Sequence, residues 1–168
     1  GNKVPPQPPS AWPVITFDDT MSIHFNGEEI SLHSLPAGHT DGDIGIYFHE
    51  SNVAHLGDHF FKGRFPFVDV GSGGTVQGMA ANVATALENL PDDVKIIPGH
   101  GPLANKADLK LYHEMLEDCL ETVQGGINGG KSLDDIKAAG LSERWADWGA
   151  GFINKDFWIE TIHTSLTQ

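Results

Sequence analysis

The stretch AGHTDGDIGIYFHESNVAHLGDHFF, residues 37–61, decides how this chain is read. Two glycine-flanked loops, Gly38-His39-Thr40-Asp41-Gly42-Asp43 and Gly57-Asp58-His59, bracket two segments of strand character. Between Asp43 and His49, the apolar residues Ile44, Ile46 and Phe48 alternate with their neighbours, which is the period of a strand. Val53–Leu56 is a second, shorter run. Each loop therefore sets a metal-competent side chain just past a predicted strand. The adjacent glycines let the backbone approach a bound group closely, and such loops on a rigid scaffold commonly carry function.

Upstream, Val14–Phe17 reads as a short β run, and Met21, Ile23 and Phe25 alternate with polar residues. Asn26-Gly27 then marks a two-residue hairpin turn, with a return strand over residues 29–35. If strands 29–35, 43–49 and 53–56 run up, down and up, His39 and Asp58 leave the sheet at the same edge. Downstream, Val76, Met79, Val83, Leu87 and Leu90 recur at helical spacing until Pro91. A buried strand over Val94–Ile97 follows and leads into Pro98-Gly99-His100-Gly101-Pro102. His100 can then reach the same edge. Two imidazoles and a carboxylate suit a borderline metal such as zinc, iron or manganese. Their spacings, 19 and 42 residues, do not by themselves identify a site.

The last third is helical. Asn105 with Asp108 reads as a capping box ahead of a helix whose Leu109, Tyr112, Met115, Cys119 and Val123 share a face. Gly125-Gly126 and Gly129-Gly130 are expected to break it. Ser132 with Asp135 opens a second helix ending at Gly140, and Asn154 caps a third. Strands followed by a helix, a strand and more helices predict an α/β or α+β layered domain. The layout is a proline-rich arm over residues 1–13, a mixed segment over 14–103 and a helical extension over 104–168.

Composition narrows the function classes. The chain has 168 residues, with 10 Lys and Arg against 23 Asp and Glu, for a formal charge of −13. That charge repels phosphate backbones, so nucleic acid is not an expected partner. No apolar run is long enough to span a bilayer. The single cysteine, Cys119, excludes an intramolecular disulfide or a multi-cysteine zinc site and reads as core on its helix face. Cytoplasm and periplasm both fit, so the compartment stays open. No Gly-x-Ser-x-Gly elbow is present. Gly71-Ser72-Gly73-Gly74 lacks the lysine of a phosphate loop and reads as a turn leading into the following helix. His24, His33, His49, His113 and His163 fall within predicted strands or helices and read as structural, whereas His55 and His59 flank Asp58.

The three loops together, Ala37–Asp43, Ala54-His55-Leu56-Gly57-Asp58 and Ile96–Pro102, resemble the metallo-β-lactamase superfamily and occur in that family's order. The likeness covers about Val14 to Leu103, and the tail is similar to the C-terminal helices of hydrolase-like members. The family's His-x-His-x-Asp-His motif is absent, since no two histidines here are separated by one residue. The resemblance therefore implies the C-terminal half of an αβ/βα sandwich with a helical tail. It also implies His39 as a ligand of a first metal, Asp58 as the catalytic carboxylate bridging two metals, and His100 as a ligand of the second.

The same resemblance implies a zinc-dependent hydrolase, with iron or manganese as alternatives and two metals in a complete site. A metal-bound hydroxide would attack an ester, thioester, lactone, amide or phosphoester of a small-molecule substrate. Asp41, Asp43 and His59 are expected to brace the ligands, because ligand histidines commonly donate their outer nitrogen to a carboxylate or carbonyl. Phe60, Phe61, Phe65 and Phe67 are divided between pocket and core, with at least two in the core. A half sandwich exposes an apolar sheet face, which points to a homo-oligomer or a complementary N-terminal half. The proline arm is what a fragment of a longer chain would begin with. The competing expectation is a catalytically inert, self-associating half-domain that holds metal weakly or not at all.

Overall fold

A computed structural model describes residues 5–168. The chain forms β1 (Thr20–Phe25), β2 (Glu28–Leu35), β3 (Asp43–Phe48), β4 (Val53–Phe61), α1 (Val76–Asn89), β5 (Lys95–His100), β6 (Ala104–Asn105), α2 (Lys106–Asn128), α3 (Leu133–Ala139) and α4 (Lys155–Thr167). Short 3-10 helices lie at Pro9–Ala11, Val70–Ser72 and Glu143–Ala150. The first four residues of the proline-rich arm fall outside the described residues.

The strands make one mixed sheet in sequence order. All neighbours are antiparallel except β4 and β5, which α1 connects as a parallel crossover. The hairpin between β1 and β2 turns on Asn26 and Gly27, both at positive φ (53° and 76°), as a two-residue turn that follows strand twist requires. Because β2 and β4 each run antiparallel to β3, they point the same way, and β5 joins them. The loops after β2, β4 and β5 thus open at one edge.

Opposed residues in a ladder share a face of the sheet. Ala54, Leu56 and Ile96 lie on the face covered by helices, and they join Val76, Met79 and Val83 of α1, Leu109, Tyr112 and Leu116 of α2, and Trp158, Ile159 and Ile162 of α4 in one buried core. The other face carries the opposed row Met21, Leu32, Ile46, His55 and Ile97. None of that row enters the core cluster, and Ile97 stays 37% exposed, as do Ile23 at 39% and Phe25 at 70%. The sheet is therefore covered by helices on one side and carries half-exposed apolar residues on the other. No helix among the described residues is long and apolar enough to cross a membrane.

Three local expectations need correction. Val14–Phe17 forms no strand, and Val14 and Ile15 are exposed, because no neighbouring strand pairs with them. The second correction concerns α2, which runs through Gly125-Gly126 and stops only at Gly129. Gly126 is buried where α3 crosses, and a β-carbon there would stand 2.7 Å from Ile136 Cγ1. Gly126 serves close helix approach rather than termination, whereas a β-carbon on Gly125 would meet nothing. The third is β4, which continues to Phe61 through irregular pairing with β5 instead of ending at Leu56. Both capping boxes are present, Asn105 with Asp108 and Ser132 with Asp135.

Candidate functional site

The shared edge of β2, β4 and β5 brings His39, Asp58 and His100 together. His39 Nε2 lies 3.6 Å from Asp58 Oδ2, and His100 Nε2 lies 3.5 Å from Asp58 Oδ1. The two imidazoles thus address opposite oxygens of one carboxylate. His100 is about half exposed and stacks on Phe61, with ring centroids 4.6 Å apart and planes 15° from parallel. Phe67 stands edge-on to His39 at 6.0 Å. Phe60, Phe61 and Phe65 are buried, which places three of the four phenylalanines in the core.

Backbone close approach explains the glycines. A β-carbon on Gly99 would lie 2.1 Å from Asp58 Oδ1 and 2.7 Å from the Gly57 carbonyl. One on Gly38 would lie 1.8 Å from His59 Nε2. The loop after β2 is stitched to the segment before α1. Thr75 Oγ1 donates to the Ala37 carbonyl at 2.7 Å, and Asp69 N donates to the His39 carbonyl at 2.9 Å. Gly74 and Gly78 make room for those carbonyls, since β-carbons there would stand 2.3 Å from His39 O and 2.1 Å from Ala37 O. The Gly71–Gly74 run is thus a close-packed turn leading into the helix, filled by the neighbouring loop.

Asp43 sits behind His39. Its carboxylate accepts from Thr40 N at 2.7 Å and Thr40 Oγ1 at 2.9 Å. It also faces His39 Nδ1 at 3.6 Å and His59 Nδ1 at 3.7 Å. His59 is 1% exposed, and its Nδ1 has no hydrogen-bond partner. Burial pushes the His59 imidazole down to about 4, with Asp43 pulling the other way, so the ring is neutral near pH 7. Asp41 lies against Gly73 of the neighbouring loop and takes no part in these contacts. His55 Nδ1 accepts from the Gly57 amide at 3.1 Å, which secures the bend at the end of the regular ladder.

One participant escapes the sequence reading, and one core residue senses the charge of the site. Asn82 of α1 contacts His59 Nε2 at 2.9 Å and donates to the Pro36 carbonyl at 2.9 Å. Tyr112 lies fully buried, its hydroxyl held above the ordinary tyrosine range by burial and by the Asp58 charge. Asn82 sits 23 residues from His59 and has no local motif to signal it.

The donor spacing bears on metal binding. Two ligands at ~2.0–2.1 Å on a tetrahedral ion stand roughly 3.3–3.4 Å apart. The His39–Asp58 and His100–Asp58 separations of 3.6 and 3.5 Å are close to that spacing. Each pair fits one metal position, but it supplies only two donors there. Among the described residues no three His, Cys, Asp or Glu side chains form a group that could hold one ion. What the residues supply is two donor pairs, one on each oxygen of Asp58.

No family model matches the chain. Over 79 residues it is 37% identical to the hydroxyacylglutathione hydrolase GloC of Haemophilus influenzae, covering 47% of this chain and 36% of that protein. Among solved structures, a double mutant of the sec-alkyl sulfatase PisA1 matches 94% of this chain and 27% of its own, with a TM-score of 0.73 and 14% identity. The sec-alkylsulfatase Pisa1 from Pseudomonas sp. matches 92% and 26%, with a TM-score of 0.68 and 14% identity. A metallo-beta-lactamase from Pontibacter korlensis matches 63% and 49%, with a TM-score of 0.56 and 15% identity. The chain spans about a third of the curated relative and a quarter to a half of these structures.

Proposed function

We propose that this chain, which carries about half of the metallo-β-lactamase superfamily fold, supplies His39, Asp58 and His100 to the metal site of a hydrolase. The observation that supports this reading most is the sharing of Asp58, with one imidazole facing each of its oxygens. The residues divide the work. His39 and His100 present Nε2, Asp58 offers an oxygen to each side, and Phe61 holds the half-exposed His100 ring in plane. Bound divalent metal would acidify water and polarise the scissile bond. Zinc suits the donors best, with iron or manganese as alternatives. Asp58 is the carboxylate on which the reaction depends, and Asp43, His59 and the more distant Asp41 complete the surroundings.

The segment layout belongs to the same proposal. Residues 14–103 form the C-terminal half of the catalytic domain, and residues 104–168 extend it with helices. Two donors per position predict weak metal affinity until further ligands arrive. Those ligands would come from a second copy or a complementary N-terminal half seated on the open apolar face of the sheet, where Ile97 and Ile23 are exposed. The same two observations, half-filled positions and an uncovered face, favour a second reading. In it the isolated chain self-associates and is catalytically inert.

The substrate class to test first is a thioester, because the curated relative is named a hydroxyacylglutathione hydrolase. Esters, lactones and amides come next. The experiment is a zinc-loaded hydrolysis assay over these four classes with wild-type protein and His100→Ala. Turnover that is lost in His100→Ala supports the hydrolase. No turnover by any class in a chain that holds zinc leaves the inert reading standing.

A further inference from the structure

We infer that Asn82 and His59 are positioning residues that hold Asp43 and thereby fix which nitrogen of His39 faces Asp58. The inference rests on the proposed role of His39 as a ligand. It begins at Pro36, whose carbonyl can only accept a hydrogen bond. The atom of Asn82 that meets it at 2.9 Å must therefore be the amide nitrogen. The same nitrogen lies 2.9 Å from His59 Nε2. An amide nitrogen donates, so His59 Nε2 is the acceptor and carries no proton. A neutral imidazole keeps its one proton on the other nitrogen.

That places the proton of His59 on Nδ1, aimed at Asp43 Oδ2, 3.7 Å away. The separation is longer than a formed hydrogen bond, and Nδ1 is buried without another partner. A buried donor left unmade is costly, so a carboxylate facing it is held by the demand as well as by Thr40. The His59 ring itself cannot slide away, because it lies against Gly38, where even a β-carbon would overlap Nε2. Asp43 turns its other oxygen to His39 Nδ1 at 3.6 Å. Asp43 thereby holds the ring with Nδ1 toward itself and Nε2 toward Asp58, which lies at the same 3.6 Å on the other side. A carboxylate has about four lone-pair sites, enough for Thr40 N, Thr40 Oγ1 and both imidazoles.

The test is the tautomeric state of the histidine rings, read by long-range proton–nitrogen NMR on the metal-free, 15N-histidine-labelled chain. His59→Gln identifies the His59 signal by its loss. The expected result is His59 protonated on Nδ1 in the wild type. In Asn82→Leu, His59 samples both tautomers and the His39 signals move. Protonation of His59 on Nε2 in the wild type overturns the inference, as does Asn82→Leu with both rings unchanged. A second readout is cobalt affinity. It should fall about tenfold in Asn82→Leu. Wild-type protein that binds no cobalt counts against His39 as a ligand, and the tautomers still decide the positioning chain.

Discussion

Gly99 lies so near Asp58 that a β-carbon on it would stand 2.1 Å from the carboxylate Oδ1. The strand after α1 is thereby pressed against the residue that His39 and His100 share. Gly99→Ala must displace the Asp58 side chain or the Gly57 backbone, whose carbonyl would be 2.7 Å away. The expected cost is about 1–3 kcal/mol of stability, with zinc affinity reduced at least about tenfold. Thermal unfolding and zinc competition titration measure the two. Unchanged zinc affinity in a folded Gly99→Ala protein would place Asp58 outside the site.

A second prediction concerns the long helix α2. The Asn105 side chain accepts from the Asp108 amide, and Asp108 reaches back to the Asn105 amide, each at 3.0 Å. Removing this cap with Asn105→Ala leaves a first-turn N–H without its partner and costs about 1 kcal/mol. Denaturant unfolding reads the loss. Asp108 also pairs with Lys62 at 2.8 Å, just beyond β4, so a larger loss would show that the cap supports the site strand as well.

Cys119 gives a pH prediction. Burial pushes its thiol up to about 12. The folded value lies above the ordinary thiol value, so unfolded chains release the proton first as pH rises. The contribution to stability is therefore complete below about pH 8.5 and is lost progressively as pH climbs toward 12. At pH 8 the folded protein should resist iodoacetamide for hours and react at once in denaturant. Rapid alkylation of the native chain would contradict this burial.

The open sheet face predicts self-association. Sedimentation of the isolated chain should show a species larger than a monomer, and Ile97→Lys with Ile23→Lys should return it to a monomer without loss of helix content. Each substitution places a charge on the half-exposed apolar row opposite the helices. A wild-type monomer at high concentration would mean the apolar face needs no second copy.

Much of this arrangement is legible in the residues. The hairpin follows from Asn26-Gly27, and the meeting of His39, Asp58 and His100 follows from strand direction, because His39 follows β2, His100 ends β5 and Asp58 sits in β4 beyond its last pair with β3. The helices announce themselves through their caps. The remainder is tertiary. Gly125-Gly126 reads as a break until α3 is seen crossing there, and Val14–Phe17 reads as a strand until it is seen to lack a neighbour. Asn82 carries no signal at all, since its partners His59 and Pro36 are 23 and 46 residues away. The division of donors, one imidazole at each oxygen of Asp58, is likewise invisible without geometry.

The most direct test of the central claim is a calorimetric zinc titration of wild type, His39→Ala, His100→Ala and Asp58→Asn. If Asp58 is shared, Asp58→Asn should abolish the whole binding heat. Each histidine variant should then remove only part of it. No zinc binding by the wild type, or an Asp58→Asn protein that binds as the wild type does, would contradict the account.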